Sequence, residues 1–158
     1  MGHERPTLVG GAAVELYSSS AINTGDFDIV TGVQDIFGGI LVEQGFVRPS
    51  GLGMAMRGWI HPDFKLGFEV VSSTLLDGMA ERDRVRQFSL DADGIVAVLS
   101  LEDMIADRVG QFASGAAPEM LGQARALFHL FSDVDLEYLE RRVRYESGGD
   151  YGLEVLKA

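Results

Sequence analysis

The sequence predicts an α/β (α+β) protein: a mixed, mostly antiparallel sheet with flanking helices, followed by a C-terminal helical bundle. Two observations carry that prediction. Through the first two-thirds of the chain, short runs of two-residue periodicity alternate with helical apolar stripes, whereas from Leu101 onward only helical spacing remains. At 158 residues, with 46% hydrophobic content and four prolines, the chain can also bury a sizeable core and is not of disordered composition. The expected division is residues 1–100 as an α/β core and residues 101–158 as a helical part packed on it, the two forming one compact unit.

In chain order, "PTLV" reads as a short strand that Gly10-Gly11 break into the helix "AAVELYSSS", with Ala13, Leu16 and Tyr17 at helical spacing. "DFDIVT" is a strand with Phe27 and Ile29 on one face and Asp26, Asp28 and Val30 on the other. Gln34 to Gln44 reads as a helix striped by Ile36, Phe37, Ile40 and Leu41. Gly51 to Ile60 is irregular chain entering a strand that ends near His61-Pro62. In the strand "KLGFEVVSS", Leu66, Phe68 and Val70 face away from Lys65, Gly67, Glu69 and Val71. "RVRQFSL", "DADG" and "IVAVLS" form a hairpin, because Asp-Gly favours tight turns. "DADG" is not a calcium loop: Ile95 and Val96 stand where an oxygen ligand and a glycine are needed. The helix "LEDMIADRVGQF" takes Ser100 as its cap, and "PEMLGQARALFHLF" and "DVDLEYLERRVRY" complete the bundle.

Composition narrows the function. A formal charge of −11 repels phosphate backbones and argues against non-specific nucleic-acid binding. Arg82, Arg84 and Arg86 alternate so as to share one strand face, and Arg141, Arg142 and Arg144 cluster late; both groups read first as solvated surface charge. The absence of cysteine excludes disulfides and thiolate metal sites, and His3, His61 and His129 are too scattered for a zinc signature. No apolar run reaches the roughly 18 residues of a membrane helix, and the N-terminus lacks a signal-peptide layout. A cytoplasmic protein with no membrane partner is expected.

Asp26 and Asp28, at i and i+2 of a strand, project to one face about 7 Å apart. Such a pair can hold one or two magnesium ions, whose shells are completed by water and substrate phosphate. A Gly-Gly at the mouth of a helix exposes backbone N–H groups and lets a triphosphate approach without a Cβ in the way. Glu69, mid-strand and opposite an apolar face, is a candidate third ligand or general base. The plainer alternative is that Asp26 caps a turn at Gly25 while Asp28 and Glu69 face water. Arg108 lies on an apolar helical stripe with Leu101, Met104, Ile105 and Phe112, so it must snorkel or pair, either with a nucleotide phosphate or with an acidic side chain.

The ordered set "VGG", "NTGDFDIV" and "FEV" resembles the nucleotidyltransferase-fold superfamily related to polymerase beta. It is most similar to small, stand-alone members such as the toxin component of abortive-infection-type toxin–antitoxin pairs, whose "GG-x-A" and "T-x-D-hydrophobic-D" segments correspond to Gly10-Gly11-Ala12-Ala13 and Thr24-Gly25-Asp26-Phe27-Asp28. "LEDMIADRVGQF" looks like the "EDL-x-A-x-K" helix of those relatives, and the motifs together span roughly residues 8 to 131. The resemblance implies Gly10, Gly11 and Thr24 at the nucleotide, Asp26, Asp28 and Glu69 as the metal-binding and catalytic acids, and Arg108 facing phosphate. Two departures stand out: Ile22 replaces an arginine common in relatives, and Gly122-Gln123-Ala124 replaces a basic-acidic pair.

The implied function is magnesium-dependent transfer of a nucleoside monophosphate from a nucleoside triphosphate to an acceptor hydroxyl on RNA, protein or a small molecule. The alternative is a non-catalytic interaction or regulatory module of toxin–antitoxin type with a vestigial site, and a partner protein or a homodimer fits either reading. The apolar "GLGMAM" segment suits packing or a dimer contact equally well. A kinase-like phosphotransferase is disfavoured, because neither a Walker loop nor a kinase glycine loop is present.

Overall fold

The computed structural model describes residues 4–19, 25–50 and 58–158. Thr24, Ile22, His3 and the "GLGMAM" segment lie outside the described residues. Two compact units are formed. One takes in the chain through Leu16 and resumes as far as Val98; the other comprises Tyr17–Ser19 and Leu99–Ala158.

The first unit is built on a six-stranded sheet. Its strands are β1 (Thr7–Val9), β2 (Asp26–Val30), β3 (Trp59–His61), β4 (Leu66–Ser72), β5 (Arg86–Ser89) and β6 (Ile95–Val98), in the order β3-β4-β2-β1-β6-β5. The β1–β2, β3–β4 and β5–β6 pairs are antiparallel, and the β1–β6 and β2–β4 pairs are parallel. The sheet is therefore mixed and mostly antiparallel, as the sequence predicts.

Helices α1 (Gly10–Tyr17) and α2 (Gln34–Glu43) follow β1 and β2. Alternation along β2 and β4 puts Phe27 beside Phe68 in register, and their rings stack 5.0 Å apart. Phe37 of α2 meets Phe68 edge-on at 6.1 Å and Trp59 at 6.4 Å. Gly38 clears the way for this indole, since a Cβ there would lie 2.5 Å from Trp59 Cζ2. Each such aromatic pair contributes about 0.5–1.5 kcal/mol beyond its buried area. One face of the sheet is thus spent on an aromatic layer under α2, and the alternating residues Asp26, Asp28 and Glu69 are turned to the other face.

The hairpin expected around "DADG" forms, with a 3-10 turn at Asp91–Asp93 between β5 and β6. The expected common face of Arg82, Arg84 and Arg86 does not. Arg82–Arg84 is a 3-10 turn in which the Arg84 N–H donates to the Glu81 carbonyl, so strand geometry begins only at Arg86. Arg82 pairs with Glu4 and Arg84 with Glu81, which makes these arginines local fasteners.

The second unit contains α3 (Leu101–Ala113), α4 (Met120–Leu130) and α5 (Leu136–Glu146), closed by a short 3-10 turn at Leu153–Leu156. Ser100 caps α3 by accepting from the Asp103 N–H at 3.0 Å, and Asp135 caps α5 by accepting from the Tyr138 N–H at 3.0 Å. Buried Leu101, Met104, Ile105, Leu127, Leu139 and Leu156 form the apolar core. Within it sits a charged clasp. Asp103 is 0% and Arg142 2% exposed; Arg142 Nε donates to Asp103 Oδ1 at 2.7 Å and its Nη2 to Glu146. The Tyr138 hydroxyl lies 3.0 Å from both Asp103 oxygens, and the Ser100 hydroxyl donates to Oδ2 at 2.6 Å. Arg142 is therefore not the solvated charge its sequence cluster suggests: α5 carries it inward on the face that bears Tyr138 and Leu139. Burial alone would lower the pKa of its guanidinium, but the hydrogen bonds and charges of Asp103 and Glu146 outweigh that and push it up.

Candidate active site

The site residues of the first unit meet on the sheet face that the aromatic layer leaves open. β1 delivers the chain to Gly10, whose φ of +69° suits glycine and turns the strand directly into α1. Asp28 explains why no side chain fits there. A Cβ on Gly10 would collide with Asp28 Oδ2 and lie 3.2 Å from the Asp28 Cβ and Cγ. The first glycine and the second aspartate of the two motifs are thus in direct contact. Gly11 differs: a Cβ on it would meet nothing within 4 Å, so its small size is not required by the fold.

Register then sets the acids beside one another. Asp28 pairs with Val9 of β1 on one side and with Glu69 of parallel β4 on the other. Adjacent strands run about 4.8 Å apart and matched residues share a face, so Asp28 and Glu69 are immediate neighbours. Asp26 pairs with Gly67, and a Cβ on Gly67 would lie 3.0 Å from Asp26 Oδ1. This glycine leaves room for the Asp26 carboxylate, a role the sequence did not reveal; its signal is a glycine two residues before the single acid in "GFE". Asp26 is exposed, and Asp28 and Glu69 are half-buried. The three carboxylates line one open face.

An oxygen-only donor set of this kind suits a hard cation such as magnesium. Among the described residues no group of three or more His, Asp or Glu side chains is gathered to hold a metal ion. That is compatible with magnesium, which is usually bound through one or two carboxylates, water and substrate phosphate and not by a dedicated protein cage. The Asp28 carboxylate packs against the Gly10 backbone, at the turn from β1 into α1.

No protein-family model matches the chain, and no curated protein matches it significantly. A solved structure does. The crystal structure of an antigenic nucleotidyltransferase-like protein from Paracoccidioides brasiliensis superposes with a TM-score of 0.60 at 16% identity, covering 97% of this chain and 84% of that one. The fold is nucleotidyltransferase-like. At that identity the likeness speaks for the architecture, and residue roles rest on the geometry described above.

Arg108, in the second unit, is 4% exposed. Its Nη1 donates to neighbouring Asp107 at 3.0 Å, and its Nε has no hydrogen-bond partner among the described residues. Of the two readings left open for it, pairing with an acidic side chain is present in the structure. Burial raises the Asp107 carboxyl above its ordinary range, against the opposing pull of Arg108 and a Gln111 hydrogen bond. Among the described residues, no helix is long and apolar enough to cross a membrane.

Proposed function

We propose that the protein is a magnesium-dependent nucleotidyltransferase that moves a nucleoside monophosphate from a nucleoside triphosphate to an acceptor hydroxyl. The observation that carries this reading is the placement of Asp28, which lies against Gly10 at the strand-to-helix turn and beside Glu69 on the neighbouring strand. Asp26 and Asp28 would hold the metal, which when bound polarises the phosphate and offsets its charge. Gly10 and Gly11 would offer backbone N–H groups to the triphosphate. Glu69 would take the proton of the acceptor hydroxyl as its oxygen bonds to the α-phosphorus and the bond to the β-phosphate breaks, releasing pyrophosphate. The phosphate-facing role that the resemblance implies for Arg108 is not part of this site: Arg108 belongs to the second unit, where it is buried and pairs with Asp107. Kinship with abortive-infection toxins, and a partner protein or second copy, belong to the same proposal.

A second reading keeps the fold and relaxes the chemistry, leaving an interaction or regulatory module. It is favoured by the lack, among the described residues, of a ready three-ligand group and by Ile22 in place of a basic residue. Calorimetric titration of magnesium with each nucleoside triphosphate separates the two. The transferase reading expects metal-dependent binding by the wild type that is lost in the Asp26→Asn/Asp28→Asn variant. A folded wild type that binds no nucleotide points to the module.

A further inference from the structure

The face that carries the carboxylates continues into a cavity. A pocket of about 460 Å³ opens in the first unit at the end of the sheet where β2 finishes. Its floor includes Thr7, Val30, Ala97 and Gln87. The pairings Thr7↔Val30, Thr7↔Ala97 and Gln87↔Ala97 put all four on one face. It is also the face of Asp28, because Val30 follows Asp28 by two residues in the same strand. Two residues of strand span about 7 Å. Asp28 and Glu69 do not line the pocket, but Asp28 stands about 7 Å along β2 from Val30 at its edge.

The chemistry of the walls restricts what lies there. Val30, Ala97, Leu75 and Val85 supply apolar surface for one face of a ring. Thr7, Thr31, Ser73 and Gln87 supply hydroxyl and amide groups able both to donate and to accept. The charges balance: Arg5 and Arg82 are matched by Glu4 and Asp83, and Arg82 is already paired with Glu4. A pocket without excess positive charge does not favour a polyanion, and the −11 charge of the chain opposes one further. The volume falls in the usual range for small-molecule sites, about 300–1,000 Å³, whereas a macromolecular acceptor would be expected to use a broad surface.

We propose that this pocket seats the acceptor, and that the acceptor is a neutral, hydroxyl-rich ring compound of nucleoside or sugar size, not RNA or protein. The assignment rests on the transferase reading above. It adds a recognition site outside the sequence motifs, and it makes Thr7, Thr31, Ser73 and Gln87 specificity-determining residues.

The test uses saturation-transfer NMR with free ribonucleosides and, separately, neutral hexoses and inositols, on the full chain. Ser73→Trp and Gln87→Trp fill the pocket from two exposed positions, so failure of one variant to fold leaves the other usable. Magnesium–triphosphate affinity is measured calorimetrically on the same samples. The proposal expects at least one probe class to bind the wild type and to weaken by about tenfold or more in the filled variants, with magnesium–triphosphate affinity unchanged; the responding class tells a nucleoside from a sugar. If no ring compound binds a wild type that does bind magnesium–triphosphate, or if filling the pocket changes nothing, the acceptor assignment fails alone. If the folded wild type binds no magnesium–triphosphate, the transferase reading fails, and the acceptor role falls with it.

Discussion

Two groups of acids in this chain receive opposite treatment. On the open sheet face, Asp26 is exposed and Asp28 and Glu69 are half-buried. In the helical unit, Asp103 is fully buried, and Asp103 and Glu146 both engage the buried guanidinium of Arg142 while Asp107 engages Arg108. A carboxylate sealed with an arginine has little capacity left for a ligand and holds helices together. A carboxylate standing on an open sheet face can meet a cation brought from solution. The contrast teaches that acidity alone says little about function; the degree of burial separates scaffold from candidate site.

Substitutions can break the comparison, and the largest effect is expected at Asp28. Asp28→Asn should lower nucleotidyl transfer by about a thousandfold or more, since a metal ligand governs several kcal/mol of charge stabilisation. Stability should change by less than about 1 kcal/mol, and chemical denaturation beside a transfer assay checks both. Arg142→Met should show the reverse pattern. It strands Asp103 in the core and should cost about 3–5 kcal/mol of stability, visible in the denaturation midpoint.

The two glycines sharpen the contrast within one motif. Gly10→Ala must place a side chain at positive φ and into the Asp28 carboxylate, so it should cost about 1–2 kcal/mol and also weaken magnesium–triphosphate binding. Gly11→Ala meets open space and should leave stability almost unchanged, with any loss confined to nucleotide affinity. Denaturation and calorimetry on the pair separate the roles.

The smallest expected effect is on pH dependence. Burial raises the Glu146 carboxyl above its ordinary 4.5, against the pull of Arg142, with Asp107 and Asp103 adding to the rise. Between that ordinary value and the raised one, the folded state holds more proton than the unfolded state. Its contribution to stability is thus fully present at lower pH and is lost as pH rises through the folded pKa. Glu146→Gln should flatten this part of the stability–pH curve, measured by denaturation at a series of pH values.

Much of this was legible in the sequence where the signal is local. The alternation Asp-Phe-Asp sorted two faces correctly because Phe27 and Ile29 belong to an apolar layer and their neighbours do not. Ser100 announced the start of α3, and "DADG" announced its hairpin. Pairing between distant segments was only partly legible: the sequence groups Glu69 with Asp26 and Asp28 as a candidate third acid, but its direct register with Asp28 was not readable, and nothing near Gly67 says that it clears space for Asp26. The two arginine clusters misled for the same reason. Arg142 looks like its neighbours Arg141 and Arg144 until α5 packs on α3, and Arg82 and Arg84 alternate like strand residues but sit in a turn closed by Glu81.

The central claim is that the open face around Asp28 holds a metal–nucleotide complex while the buried acids of α3 and α5 are scaffold. Paramagnetic broadening of backbone amides by manganese, added as a stand-in for magnesium with a non-hydrolysable nucleoside triphosphate, tests it most directly. The account predicts the strongest broadening at Gly10, Gly11, Asp28 and Glu69, abolished by Asp28→Asn. Broadening centred on Asp103, Asp107 and Glu146, or no broadening in the folded wild type, would contradict it.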